Sequence, residues 1–220
     1  MTTSWLSFDL RVARDAQDLR EACAVRAAAY GHHLPQLKKA LAEPDELDHQ
    51  PGTAVLLCQD KRSGETIGTA RIQRAGPQSS VQLEASVQLP EWLAARPRAE
   101  ITRLAIRPGA DPLVRPMLMK ASYLYCVANQ IRWLVIGARS DALVRIYRRL
   151  GFIDVLAADQ TVPLAHAGGL QHRILVFDVV AAERSWHGCQ HDLYSLMIET
   201  FHPDIQLFGE PPRRDRRAAA

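Results

Sequence analysis

The amino-acid sequence predicts an α/β fold: a mixed, mostly antiparallel sheet flanked by helices. Three observations predict it. Four strand-like runs precede residue 107, two of them joined by a short polar turn. After residue 107, helix-like and strand-like runs alternate, as in a βαβ unit. Hydrophobic residues make up 47% of the 220 and charged residues 23%, which is ordinary globular usage and excludes a disordered or fibrous chain.

Phe8–Ala13 alternates in character and reads as a strand. Asp15 is placed to cap a helix that runs to about Tyr30. Residues 31–52 hold Gly31, Pro35, Pro44 and Pro51, so a long loop with a short helix near Leu37–Leu41 is expected. Residues 53–58 and 65–72 read as two strands around the turn 60–64. The stretch 75–98 carries no clear pattern. Residues 99–106 form a strand stopped by Pro108. Residues 113–130 have helical apolar spacing, and 133–137 is a continuous apolar run that suits a strand buried on both faces. A helix over 141–150 ends at Gly151. Strands at 152–156 and 173–180 complete a domain over residues 1–182. An amphipathic helix over 187–201 is expected in an appendage of residues 183–210, with Leu193, Leu196, Met197 and Phe201 on its apolar face. Residues 211–220 have too little apolar content to pack and read as a disordered tail.

No apolar run approaches the ~18 residues of a membrane span, and the N-terminus lacks the basic-then-apolar pattern of a secretory signal. Cys23, Cys58, Cys126 and Cys189 lie far apart, the pattern of reduced thiols in the cytoplasm. His32, His33, His187 and His191 do not make a metal-ligand set at this spacing, so no metal is expected.

Charge is unevenly spread. Residues 96–149 hold 11 basic and 3 acidic side chains, while the segments on either side are net acidic. Such a block attracts an anionic partner, or is simply a solvated helix face. No aromatic residues interleave it on a strand platform, which disfavours nucleic acid.

Tyr147-Arg-Arg-Leu-Gly-Phe152 resembles the segment that ends the fourth helix of the GNAT N-acyltransferases, and the element order is theirs as well. A second series is more specific. It runs Arg26, Tyr30, Asp45, Asp48, Arg71, then Glu100-Ile-Thr-Arg103. It is similar to the series shared by acyl-homoserine-lactone synthases and FeeM-type N-acyl amino acid synthases. Residues 31–52 contain no tryptophan, which the lactone synthases carry there, and residues 99–106 resemble the amino acid synthases more. The GNAT pyrophosphate loop is replaced by Arg107-Pro-Gly-Ala-Asp-Pro-Leu-Val-Arg-Pro116. It has one glycine, Pro112 and Pro116 without N–H groups, and an aspartate that repels phosphate.

The resemblance implies a bacterial N-acyltransferase that moves a fatty acyl chain from acyl carrier protein to the amine of an amino acid. The donor would be carried on phosphopantetheine or coenzyme A, with no bound cofactor. Glu100 would be the general base and Tyr147 a general acid. On a strand, Glu100 and Arg103 are expected to face opposite sides. Arg26, Tyr30, Arg71 and Arg103 would line the substrate site, and backbone N–H groups near Leu104, Ala105 and Ile106 would meet the oxyanion. Asp45 and Asp48 would join the arginines in a buried charge network. Glu100 paired with Arg26 or Arg71 remains the structural alternative. Arg107, Arg115, Lys120, Arg139, Arg145, Arg148 and Arg149 would meet the acidic carrier protein. Three other functions stay open: an acetyl-CoA-dependent acetyltransferase, a lactone synthase, and a non-catalytic acyl-binding module.

Overall fold

The computed structural model describes residues 2–31 and 35–209. Strand β1 (Thr2–Thr3) and β2 (Phe8–Val12) lead into helix α1 (Ala16–Gly31), where the Asp15 side chain accepts the Asp18 N–H at 2.9 Å. Helix α2 (Pro35–Leu41) follows, then a single 3₁₀ turn over Glu46–His49. Asp45 and Asp48 cap that turn reciprocally, each side chain accepting the other's backbone N–H. The hairpin β3 (Thr53–Asp60) and β4 (Thr66–Ala75) lies where alternation predicts it.

The patternless stretch forms a 3₁₀ turn over Gln82–Ala85 and the short helix α3 (Glu91–Ala94). Strand β5 (Arg98–Ile106), helix α4 (Val114–Ala128), strand β6 (Trp133–Ala138) and helix α5 (Asp141–Arg149) then build the βαβα unit. Strands β7 (Ile153–Asp154), β8 (Val162–Leu164) and β9 (Leu170–Asp178) follow, then helix α6 (Ala182–Gly188) and strands β10 (Thr200–Phe201) and β11 (Ile205–Gln206).

The main sheet has nine strands in the order β11-β2-β3-β4-β5-β6-β9-β7, with β8 also on β9. Within it, among the described residues, only β11–β2 and β5–β6 pair in parallel; β1 and β10 form a separate parallel pair. A core that includes Leu56, Ile72, Ile101, Met117, Leu118 and Phe177 fills the space between the sheet and α4. A second core on the other side joins Leu83, Leu89 and Leu93 to Leu164, Ile174 and Val176. It anchors the 76–97 segment and the β8 turn to the sheet.

Residues 187–201 differ from the expected amphipathic helix. Helix α6 ends at Gly188, Gln190 takes φ +49°, and residues 195–199 make a π-type turn before β10. The His191 ring holds the bend: Nδ1 accepts the Leu193 N–H at 3.0 Å and Nε2 bonds the Arg149 carbonyl at 2.5 Å. Lys120 Nζ takes the carbonyls of Leu196 at 2.7 Å and Thr200 at 2.5 Å, and bonds His202 Nδ1 at 3.1 Å. These bonds fasten residues 196–202 to α4. Met197 does reach the core, while Phe201 is exposed. The tail 211–220 and the pair His32–His33 lie outside the described residues. No described helix is long and apolar enough to cross a membrane.

Candidate active site

Two departures from regular pairing create a cavity of about 350 Å³. The first is between β5 and β6. Their ladder runs from Arg98 opposite Trp133 to Ile101 opposite Ile136 and stops, so the strands diverge beyond that point. The second is a bulge in β5. Ala105 faces Thr69 and Thr102 faces Arg71, leaving Arg103 and Leu104 opposite Ala70 alone. Arg103 takes φ +54°, a left-handed conformation disfavoured for a residue with a Cβ. The Tyr30 hydroxyl holds the bulge by donating to the Leu104 carbonyl at 2.9 Å.

The bulge overturns one expectation. Glu100 and Arg103 both line the cavity, because the left-handed residue breaks the alternation that would separate them. Tyr30, Leu104, Ala105, Ile106 and Tyr147 line it too. At Gly137, in the cavity wall, an added Cβ would lie 2.8 Å from Leu164 Cδ1, so the Leu164 side chain of β8 packs directly against the β6 backbone there.

Glu100 is fully buried. Its Oε2 accepts the Leu83 N–H at 2.9 Å, and its Oε1 has no hydrogen-bond partner among the described residues. Neither Arg26 nor Arg71 forms an ion pair with it; the nearest cation-forming group is His166, with Nε2 3.7 Å from Oε1. Burial pushes the carboxyl up to about 7, against the Leu83 N–H and the Arg71 charge. Tyr147 is pushed up to about 12 by burial, so its phenol stays protonated. Gly151, at φ +100°, ends α5 as the motif requires, and the Phe152 N–H returns to the Tyr147 carbonyl at 3.1 Å.

Arg26, Arg71 and Arg103 meet Asp45 and Asp48 through unequal contacts. Arg26 binds Asp48 through both terminal nitrogens, at 2.7 and 2.9 Å. Arg71 reaches Asp45 at 2.6 Å, Gln82 Oε1 at 3.0 Å and Thr102 Oγ1 at 3.0 Å. Burial works against ionisation of Asp45, and the bond and charge of Arg71 outweigh it, holding the carboxyl below its usual value. Arg26 and Arg71 are buried behind the wall and do not line the cavity. Arg103 does line it, reaching Asp45 only at 3.6 Å, with its Nε unpartnered among the described residues.

The basic residues separate into groups. Arg115 and Arg139 line the cavity. Arg145 is exposed on α5. Arg148 pairs with Asp154, Arg149 with Asp192 at 3.3 Å, and Arg107 donates to the Thr66 carbonyl at 2.8 Å. Lys120 is a correction to its expected surface role: it is buried, with its ammonium inside the C-terminal segment.

Sequence reasoning missed three contributors. His166 lies in a segment without periodicity. The Leu83 N–H is a backbone group that no side-chain pattern reports. Arg98, buried, clamps Glu84 with two bonds of 2.8 Å and reaches the carbonyls of Gly76, Ser79 and Ala94. Only the unexplained arginine at the start of a strand signalled it. Among the described residues no three His, Cys, Asp or Glu side chains converge as a metal site.

Residues 18–170 match the model of the family described as N-acyl amino acid synthase FeeM. No curated protein matches the chain. FeeM itself, an N-acyl amino acid synthase from uncultured soil microbes, aligns with TM-score 0.61 at 15% identity, over 86% of this chain and 98% of that one. BjaI, a CoA-dependent acyl-homoserine lactone synthase solved with SAM and isopentyl-CoA, aligns with TM-score 0.59 at 18% identity, over 93% and 95%. An acyl-CoA N-acyltransferase from Pseudomonas aeruginosa aligns with TM-score 0.55 at 15% identity, over 77% and 99%. These likenesses establish the GNAT-like α/β fold. The family match covers well over half of the residues and includes β5 with its bulge, so the chain belongs to the N-acyl amino acid synthase FeeM family and is an N-acyltransferase.

Proposed function

We propose that the protein transfers a fatty acyl chain from acyl carrier protein to the amine of an amino acid. The observation that carries this reading is Glu100, a buried carboxyl with one unpartnered oxygen in the wall of the cavity beside the β5 bulge. A carboxyl titrating near 7 is matched to taking a proton from an ammonium at neutral pH. The acceptor gives one proton to Glu100, and its neutral amine attacks the thioester carbonyl. Charge develops on the carbonyl oxygen beside the Arg103–Leu104 bulge, where backbone N–H groups would meet it. Collapse forms the amide and expels the pantetheine thiolate, which leaves as the thiol with the second amine proton. Tyr147, held protonated, suits a hydrogen bond to that thiolate better than a full proton transfer. Arg103, with a single long contact to Asp45, has donors to spare for the carboxylate of an amino acid.

The start of α4 supports a carrier-protein donor. Asp111 Oδ1 accepts the Leu113 N–H at 2.8 Å, and Asp111 Oδ2 accepts the Ser7 hydroxyl at 2.5 Å. A carboxylate thus sits where a coenzyme A pyrophosphate would need free N–H groups. Pantetheine on a carrier protein has a single phosphodiester and does not need that cradle. The test is incubation with acyl carrier protein loaded with long acyl chains, a panel of amino acids and mass-spectrometric detection of N-acyl products. The expected result is N-acyl amino acid from the carrier-protein donor and little from the matching acyl-CoA. Efficient transfer from acetyl-CoA would overturn the reading.

A further inference from the structure

The two oxygens of Glu100 meet two different parts of the molecule. Oε2 takes the Leu83 N–H from the 3₁₀ turn after β4, and Oε1 faces His166 Nε2 across 3.7 Å. His166 is held from outside the sheet. It sits on the one-turn segment Ala165–Ala167, closed by Gly168 N–H to the Ala165 carbonyl at 3.1 Å and Gly169 N–H to the Leu164 carbonyl at 2.9 Å. Ser86 Oγ accepts the Ala165 N–H at 2.9 Å, and Leu164 packs in one core with Leu83. The groups that face the two oxygens therefore ride on two segments bolted to each other.

Each of the two side chains has a buried atom without a partner among the described residues. Glu100 Oε1 is a buried orphan, and so is His166 Nδ1. A neutral imidazole has one N–H. Placing it on Nδ1 would bury an unpaired donor, the rarer and costlier kind of orphan. Placing it on Nε2 puts it on the ring nitrogen 3.7 Å from the carboxylate. Catalytic hydrogen bonds are often long in unliganded enzymes and tighten in the reacting complex.

We propose that His166 is a positioning residue for Glu100, donating Nε2–H to Oε1 so that the carboxylate is held ionised and aimed at the acceptor amine. The inference rests on the reading of Glu100 as general base. Oε1 uses one lone pair for the imidazole and the other for the ammonium proton, and His166 keeps its own proton throughout. Around Glu100, Arg71 favours the carboxylate and Glu84 opposes it. Around His166, burial together with Arg103, His172 and Arg71 oppose a positive charge, while Asp45 favours one. His166 is pushed down to about 4, so over the working range it acts as a hydrogen-bond donor and not as a charge.

The test is the pH profile of kcat/KM for wild type, His166→Phe, His166→Gln and Glu100→Gln. In His166→Phe the acidic limb should move up by about one pH unit, with about tenfold less activity on the limb and recovery at higher pH. His166→Gln, which keeps an N–H donor, should move the limb back toward wild type. An unmoved limb with a uniform loss at every pH would make His166 merely structural and overturn the proposal. Near-normal turnover in Glu100→Gln would remove the base itself. An inactive Glu100→Gln beside an unmoved His166→Phe limb would remove only His166. ¹⁵N NMR of the histidines in the wild-type protein needs no variant to fold. A neutral Nε2–H tautomer for His166 down to pH 5 is expected, and an Nδ1–H tautomer or titration near 6.5 would overturn the proposal.

Discussion

Arg103 and Glu100 are three positions apart, and whether they share a cavity depends on one backbone angle. Alternation along a strand separates them; φ +54° at Arg103 unites them. Nothing in the residue type announces that angle, since arginine has no preference for it. Glu100 and Arg103 could be picked out as candidates on β5, and the wall they share could not. The two buried titrating groups lead to a stability prediction. Glu100 has its pKa raised from 4.5 to about 7, so between those values the folded state holds a proton that the unfolded state has lost, and stability falls as pH rises. His166 is lowered from 6.5 to about 4, so between those values the unfolded state holds the extra proton, and stability rises with pH. The two slopes oppose each other between about pH 4.5 and 6.5. Glu100→Gln removes one of them. Its melting temperature, relative to wild type, should climb between about pH 4.5 and 7, the window of Glu100 alone, and level off above it, as scanning calorimetry would show. A relative melting curve that is flat with pH would mean that Glu100 titrates normally. The same variant should lose turnover by roughly 10²–10⁴-fold, the usual worth of a general base.

At the scale of elements, Asp45 and Asp48 tie the loop after α2 to α1, β4 and β5 through three arginines. The contributions are unequal because burial is unequal. Asp48 is bound by Arg26 in a buried bidentate pair and is also 3.4 Å from Arg71. Asp48→Ala leaves a buried guanidinium whose remaining side-chain contact is Cys23 Sγ at 3.7 Å. The expected loss is roughly 3–5 kcal/mol in denaturant unfolding. Arg103→Ala breaks a 3.6 Å contact at the cavity wall and should cost under about 1 kcal/mol. Equal losses in the two variants would contradict this ordering. Strands β2 to β6 and helices α1, α4 and α5 were legible because alternation, helical period and capping residues agree there. The segment after α6 was not. Its spacing is helical, but the His191 ring takes the Leu193 N–H that a helix would use, and the remote Lys120 fastens the segment to α4.

At the scale of the whole molecule, a basic central third inside a near-neutral chain becomes four different things. Lys120 fastens the C-terminal segment, and Arg148 and Arg149 pair with local carboxylates. Arg115 and Arg139 reach the cavity, and Arg145 stays outside on an exposed turn of α5. On the proposed reading, the exposed group would dock a carrier protein and the cavity group would grip its pantetheine arm. Rim charges act chiefly on the rate of encounter and are screened by salt. Arg145→Glu should therefore raise KM for an acyl carrier protein donor several-fold at low salt, with the effect shrinking as salt is added. With a minimal acyl-pantetheine donor it should change little, because that donor has no acidic surface. Arg115→Glu places a negative charge in the cavity itself and should reduce kcat/KM with both donors. Steady-state kinetics of the two variants with the two donors decide the matter. If Arg145→Glu weakened both donors alike, α5 would be acting on the cavity and not on a partner, and the basic block would have no docking role at that position.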